Sequence, residues 1–162
     1  MPHPSDSATQ RYAEALIREM LADAFGVELK PKSVMLGERA TVALDGASPD
    51  ESVLVEIFAR QGTLKAGQKQ KVKGDALKLI TLAQTRPGVR LVLAFGSEDA
   101  ARFALEASWV AEALRIWGVE VFVAELEPDV RSGLHAAQAR QIMVNPPKTD
   151  SGDPPAVGSG NR

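Results

Sequence analysis

The 162-residue chain reads as an α/β protein, a three-layer sandwich around one mixed sheet. Three observations predict this. Residues 39–59 contain two alternating strands joined by a short turn-rich connection, an antiparallel meander. Residues 89–95 (VRLVLAF) and 119–126 (VEVFVAEL) are short, almost continuous apolar runs, as strands covered on both faces are. Helical periodicity fills the stretches between them, which makes the later strands parallel and joined by crossovers.

The elements follow in order. Residues 1–8 are polar with two prolines and read as a flexible start. A helix begins near Ser7 or Thr9 and runs to Phe25, with Ala13, Leu16, Ile17, Met20, Leu21 and Ala24 on one stripe and Gly26 as its stop. Residues 27–37 hold one strand, with Pro31 at an edge or bend. In the strand at 39–45, Val42 and Leu44 face one way, and Thr41, Ala43 and Asp45 the other. GASPDE (46–51) is the turn. In the strand at 52–59, Val53, Val55 and Ile57 share one face, and Leu54, Glu56 and Phe58 the other.

A helix follows from Lys65 or Gly67 to Gln84 on a stripe of Val72, Ala76, Leu79, Ile80 and Ala83. Extended backwards, that stripe passes through Gln68, Lys69 and Lys65, so these polar residues face the sheet near its edge. Ser97 caps a helix that reaches Trp117, with Glu98 and Asp99 in its first turn. Residues 129–143 form a last helix. Residues 9–144 thus form one domain, and 145–162 a Pro/Gly/Ser tail with no means of burying a core.

Composition narrows the chemistry. With a net charge of −2, any contact with nucleic acid must come from a local patch. The absence of cysteine excludes disulfides, thiolate catalysis and cysteine zinc sites. The two histidines, His3 and His135, are too few and too isolated for a histidine metal site. A metal would be held by carboxylate and carbonyl oxygens, which suits Mg²⁺ or Mn²⁺. There is no apolar run of the ~20 residues that span a bilayer. The start MPHPSDSATQ lacks the basic and apolar regions of a signal peptide, so a cytoplasmic protein without membrane contact is expected.

The stretch 41–79 holds the candidate chemistry. Asp45 and Glu56 can lie on one face of the hairpin. Both could point to solvent on an open face, but each sits in an apolar stretch (VALDG, VLVEIF) that a helix should cover. Buried acids without partners are expensive, and paired acids repel unless a cation lies between them. Lys65, Gln68, Lys69, Lys71 and Lys73 follow, with Arg60 and Lys78, against the one acid Asp75. An ammonium beside a metal site can orient a water or neutralise phosphorane charge. Lys65, Lys69 and Gln68 are placed to do so. Arg60, Lys71 and Lys73 are candidates for phosphate contacts. For Lys71, Lys73 and Lys78 a solvated helix face is the simpler reading, with Lys71 and Asp75 as an i,i+4 pair. Trp109 lies off its helix's stripe and is expected to pack under the last helix. His135 is expected on a helix surface. There is no P-loop, G-x-G-x-x-G or G-x-S-x-G sequence.

The order helix, meander, helix, strand, with Asp45 on one meander strand and Glu56 on the next, resembles the PD-(D/E)xK nucleases of restriction-endonuclease-like fold. The resemblance covers about residues 12–126. It implies that Asp45 and Glu56 ligate Mg²⁺ or Mn²⁺, that the substrate is nucleic acid, DNA in the first place, and that a homodimer is plausible. Pro49-Asp50 reproduces the letters PD but lies in the turn, so Asp45 is the better match. Glu14 or Glu19 could match a further acid on the first helix. The family's lysine position is occupied by Phe58. Lys65 or Lys69 could stand in from the following helix, and Gln68 resembles the glutamine after the core motif in some branches. Without such a lysine, the resemblance implies a catalytically inactive domain that binds protein or nucleic acid. An acid/base enzyme for small molecules would need only the two carboxylates.

Overall fold

Apolar spacing winds the start of the chain into α1 (Pro4–Phe25), in the computed structural model, which describes residues 4–144. Ala13, Ile17 and Leu21 are its fully buried stripe. The helix begins at Pro4 rather than at Ser7 or Thr9, because a proline in the first turn lacks only an N–H that would be unpaired anyway. Residues 4–8 are therefore helical, not a flexible start. Gly26, at φ +65°, ends the helix as expected.

The sheet has five strands in the order β1-β2-β3-β4-β5. β1 (Lys30–Leu36) is an edge strand, which is why it tolerates Pro31. It pairs antiparallel with β2 (Ala40–Ala47), which runs past the expected end at Asp45. β2 pairs antiparallel with β3 (Val53–Phe58), whose six residues are all buried. β3, β4 (Arg90–Phe95) and β5 (Val119–Val123) are mutually parallel. The expected meander followed by parallel strands is present. In the β2–β3 turn the Asp50 carboxylate accepts hydrogen bonds from the Ser48 and Ser52 hydroxyls, both at 2.7 Å, and from the Ser52 N–H. These bonds hold it near pKa 2, so Asp50 is the turn's own acceptor.

Helices cover both faces of the sheet, so the fold is a five-stranded mixed α/β sandwich. On one face α2 (Ala66–Ala83), α3 (Glu98–Leu105) and α4 (Trp109–Ile116) bury Leu54, Phe58, Leu93 and Phe95. On the other, α1 and α5 (Pro128–Val144) bury Val55, Ile57, Val92 and Ala94. Alternation along β3 and β4 feeds both cores.

Three expectations are corrected here. The single helix from Ser97 to Trp117 is two helices, because the Ser108 hydroxyl accepts the Ala111 N–H at 3.1 Å and starts α4 afresh. Trp109, the first residue of that new helix, does not pack under α5 but stands 72% exposed. β5 ends at Val123 rather than Leu126 and is an edge strand with Glu120 exposed, though Val119 and Val121 join one core and Phe122 the other. The tail at 145–162 and His3 lie outside the described residues. Among the described residues no helix is long and apolar enough to cross a membrane.

Candidate functional site

The site starts from an irregularity in β2. Lys30 pairs with Ala47 and Lys32 with Leu44, so β2 carries one extra residue in the segment that holds Asp45. Such a bulge turns side chains out of the regular alternation and weakens the ladder. The β2–β3 register runs through Ala47↔Leu54 and Gly46↔Val55, and its continuation sets Asp45 opposite Glu56. There the side chain takes over: Asp45 Oδ2 accepts the Ile57 N–H at 2.9 Å. The freed β2 carbonyls are held by cations from both helical layers. Arg18 of α1 donates to Asp45 O at 2.7 Å, and Lys78 of α2 donates to Ala43 O at 3.2 Å.

Glu56 lies beside Asp45 and is 2% exposed. Lys78 forms an ion pair with its Oε1, and also contacts Asp75 Oδ1 at 3.2 Å. The Glu56 contact is an ion pair without an aligned hydrogen bond to Oε1. Burial pushes the Glu56 carboxyl up to about 8; Lys78 opposes this, while Asp45, by hydrogen bond and charge, and then Asp75 reinforce it. The Glu56 carboxyl thus resists ionisation beside Asp45. Burial pulls the Lys78 ammonium down, but Glu56 and Asp75 outweigh it and leave it above its ordinary value. One cation thus faces two carboxyl groups, Glu56 and Asp75.

A cavity of about 250 Å³ opens over Asp45, lined among others by Glu14, Phe58, Arg60, Gln68 and Lys71. Burial raises Glu14, against the Gln10 hydrogen bond, and the Asp45 charge adds to it. Burial alone lowers Arg60. Among the described residues no group of three or more acids and histidines is arranged for a metal. A larger crevice, about 760 Å³, lies at the C-terminal ends of β3, β4 and β5, where Gln61, Ser97 and the exposed His135 line it. Asp45 lines the smaller opening, and Glu56 is buried behind it.

The structure brings Asp45, Glu56, Gln68, Arg60 and Lys71 to one end of the sheet. It turns Lys69, one of the two expected lysines, elsewhere. Lys65 precedes α2, where its N–H donates to Gln68 Oε1 at 2.7 Å. Lys69 Nζ lies over the Phe103 ring at 5.5 Å, and Lys73 Nζ over the Trp109 ring at 5.3 Å. At 3.6 residues per turn, Lys69 sits about 180° around the helix from Lys78. The sheet-facing lysine is Lys78, not a residue of a solvated helix face. Its signal was the order Lys71, Asp75, Lys78 at i, i+4 and i+7, flanking the buried stripe Val72, Ala76 and Leu79. A lysine there can lay its stem along the core and deliver its ammonium to the sheet. The expected Lys71–Asp75 pair is present at 2.6 Å, and Lys71 Nζ also lies 4.8 Å from the centre of the Phe58 ring. Arg18, which holds the Asp45 carbonyl, was not singled out at all. Glu19 is exposed away from the site.

Comparison of the chain with protein-family models, with curated proteins and with solved structures gave no match.

Proposed function

We propose that the chain is a metal-dependent phosphodiester hydrolase of nucleic acid, DNA in the first place, with a diverged restriction-endonuclease-like fold. The reading rests on one observation: Asp45, Glu56 and a lysine ammonium, Lys78, converge on one end of the hairpin. In this reading Lys78 takes the role that the PD-(D/E)xK pattern gives to the residue at position 58. Phe58 leaves that position apolar, and Lys78 reaches the same acid from α2.

The residues present fit Mg²⁺ or Mn²⁺. Both side chains offer hard oxygen donors, and Mg²⁺ is commonly held by one or two carboxylates with waters and substrate phosphate completing the shell. The proton on Glu56 is what a divalent cation would displace, so loading should strengthen as pH rises through about 8. Bound there, the ion would supply Lewis-acid polarisation of the scissile phosphate. Asp45 faces the open cavity and Glu56 backs it. Lys78 neutralises Glu56 and keeps a cation beside the developing charge. Arg60 and Lys71 line the opening and would hold flanking phosphates.

A second reading, an inactive binding module of the same fold, is favoured by the depth of Glu56, 2% exposed and already contacted by Lys78. One assay separates the two. Purified protein is incubated with single- and double-stranded DNA and with RNA, in Mg²⁺, Mn²⁺ or EDTA, beside Asp45→Asn and Glu56→Gln. Metal-dependent cleavage lost in both variants establishes the hydrolase. No cleavage of any substrate leaves the binding module standing.

A further inference from the structure

α2 has two charged flanks, and the proposed site uses only one. Lys71, Asp75 and Lys78 face β2. Lys65, just before the helix, Lys69 and Lys73 recur every four residues, and of these Lys69 reaches Phe103 of α3 and Lys73 reaches Trp109 of α4. Among the described residues none of these three has an ion-pair partner, since Asp75, the acid of the helix, is taken by Lys71 and Lys78. Two of them lie over aromatic rings instead, Lys69 over Phe103 and Lys73 over Trp109. An ammonium over a ring keeps its full charge. The Trp109 indole is 72% exposed, the most open aromatic ring among the exposed large side chains, and its place at the start of α4 gives it no core to fill.

A groove of about 300 Å³ runs between this flank and α3–α4, lined by Leu64, Lys69 and Phe103 and by Arg102 with its ion-pair partners Asp99 and Glu106. Leu64 also lines the cavity over Asp45. The groove and the proposed site therefore meet around the start of α2.

We propose that Lys65, Lys69 and Lys73, with Trp109 as a stacking platform, bind a single strand of nucleic acid and lead it past Leu64 to Asp45. This rests on the reading of Asp45 and Glu56 as a phosphodiester site and names its substrate as single-stranded. The chemistry selects the strand. Unpaired bases offer open faces to an indole, whereas a duplex stacks them against each other. Uncompensated ammonium groups at a regular spacing suit a phosphate chain. An acidic peptide would satisfy the lysines but leave the indole unused.

The test uses the full chain with Trp117→Phe, which leaves Trp109 as the sole tryptophan reporter. In EDTA, an oligothymidylate of about a dozen nucleotides, the matching duplex and poly-glutamate are titrated while indole fluorescence and labelled-probe anisotropy are followed. The single strand should quench Trp109 and bind at least about tenfold tighter than the duplex. Trp109→Ala, at an exposed position, should weaken single-strand binding about tenfold. Changing Lys65, Lys69 and Lys73 together to Gln should flatten the salt dependence by about two counterions. Equal affinity for duplex, an unquenched Trp109, an unchanged Trp109→Ala variant, or poly-glutamate binding with the same quench would each overturn the proposal. Cleavage in Mg²⁺ is measured separately. Quenching without cleavage sustains the surface and removes the hydrolase; cleavage without quenching does the reverse.

Discussion

Glu51, in the turn before β3, and Glu56, within β3, lie in opposite electrostatic surroundings. Glu51, in the turn before it, meets two cations: Arg86 at 2.8 Å and Lys32 at 3.1 Å. The Arg86 hydrogen bond, then Lys32, holds its carboxyl below the ordinary value, against a small burial penalty. Arg86 also donates to Met35 O at 3.0 Å, so the cluster ties β1, the turn and the end of α2 together. Glu56 shares its lysine with Asp75, lies beside Asp45 and is pushed up to about 8. The first arrangement is what a fold builds to hold itself. The second resists its own ionisation, and such imbalance is a mark of function more than of support.

The largest expected effect lies in the chemistry. Asp45→Asn and Glu56→Gln should each lower metal-dependent cleavage by at least about a hundredfold, since they strike the proposed ligands. Glu51→Gln, read in the same assay, should leave the rate per folded molecule unchanged. If Glu51→Gln cripples cleavage as badly, the contrast between the two acids is broken.

Lys78→Met comes next. Loss of its charge should slow cleavage by about a hundredfold or more, whereas Lys65→Met and Lys69→Met should change KM and spare kcat. Equal kcat losses at Lys69 and Lys78 would return the role to the lysine first expected from the sequence.

Stability separates the acids with opposite signs. Glu56 is raised on folding, so the native state holds its proton more tightly than the unfolded chain. Its contribution is fully present below about pH 4.5 and is lost as pH rises toward 8. Without metal, Glu56→Gln should therefore stabilise the protein at pH 8.5, by about 1 kcal/mol or more. Glu51 is lowered, so its contribution is present above its unfolded value near 4.5 and is lost as pH falls through the folded one. Glu51→Gln should cost roughly 0.2–1 kcal/mol at pH 7, the range for a partly exposed pair. Chemical denaturation at the two pH values reads both. Destabilisation by Glu56→Gln at pH 8.5 would make Glu56–Lys78 a supporting pair like Glu51–Arg86.

The smallest effect sharpens the same contrast from outside. Mg²⁺ or Mn²⁺ should raise the melting temperature of the native chain more at pH 8 than at pH 6, because it competes with the Glu56 proton. The shift should vanish in Glu56→Gln and persist in Glu51→Gln. A shift independent of pH and of Glu56 would place the ion elsewhere.

Much of this was legible one residue at a time. Alternation set Glu56 within an otherwise apolar strand, and the turn letters around Asp50 marked a hairpin. Periodicity drew the buried stripe of α2 through Val72, Ala76 and Leu79. Local patterns of this kind survive because burial acts on each element at a fixed period. The Ser108 cap was not singled out, because the helical pattern from Ser97 to Trp117 runs past it.

What the chain by itself determined is therefore the order of elements and the two acids. Tertiary structure alone decided which cation answers them and which aromatic stays outside. A lysine side chain reaches far beyond its own helical turn, so small differences in angle around α2 send Lys69 to Phe103 and Lys78 to Glu56. That angle is set by how the helix docks on the sheet, and the bulge at Asp45 depends on the register of β1. Both are relations between distant segments, and a pattern read along one segment does not contain them.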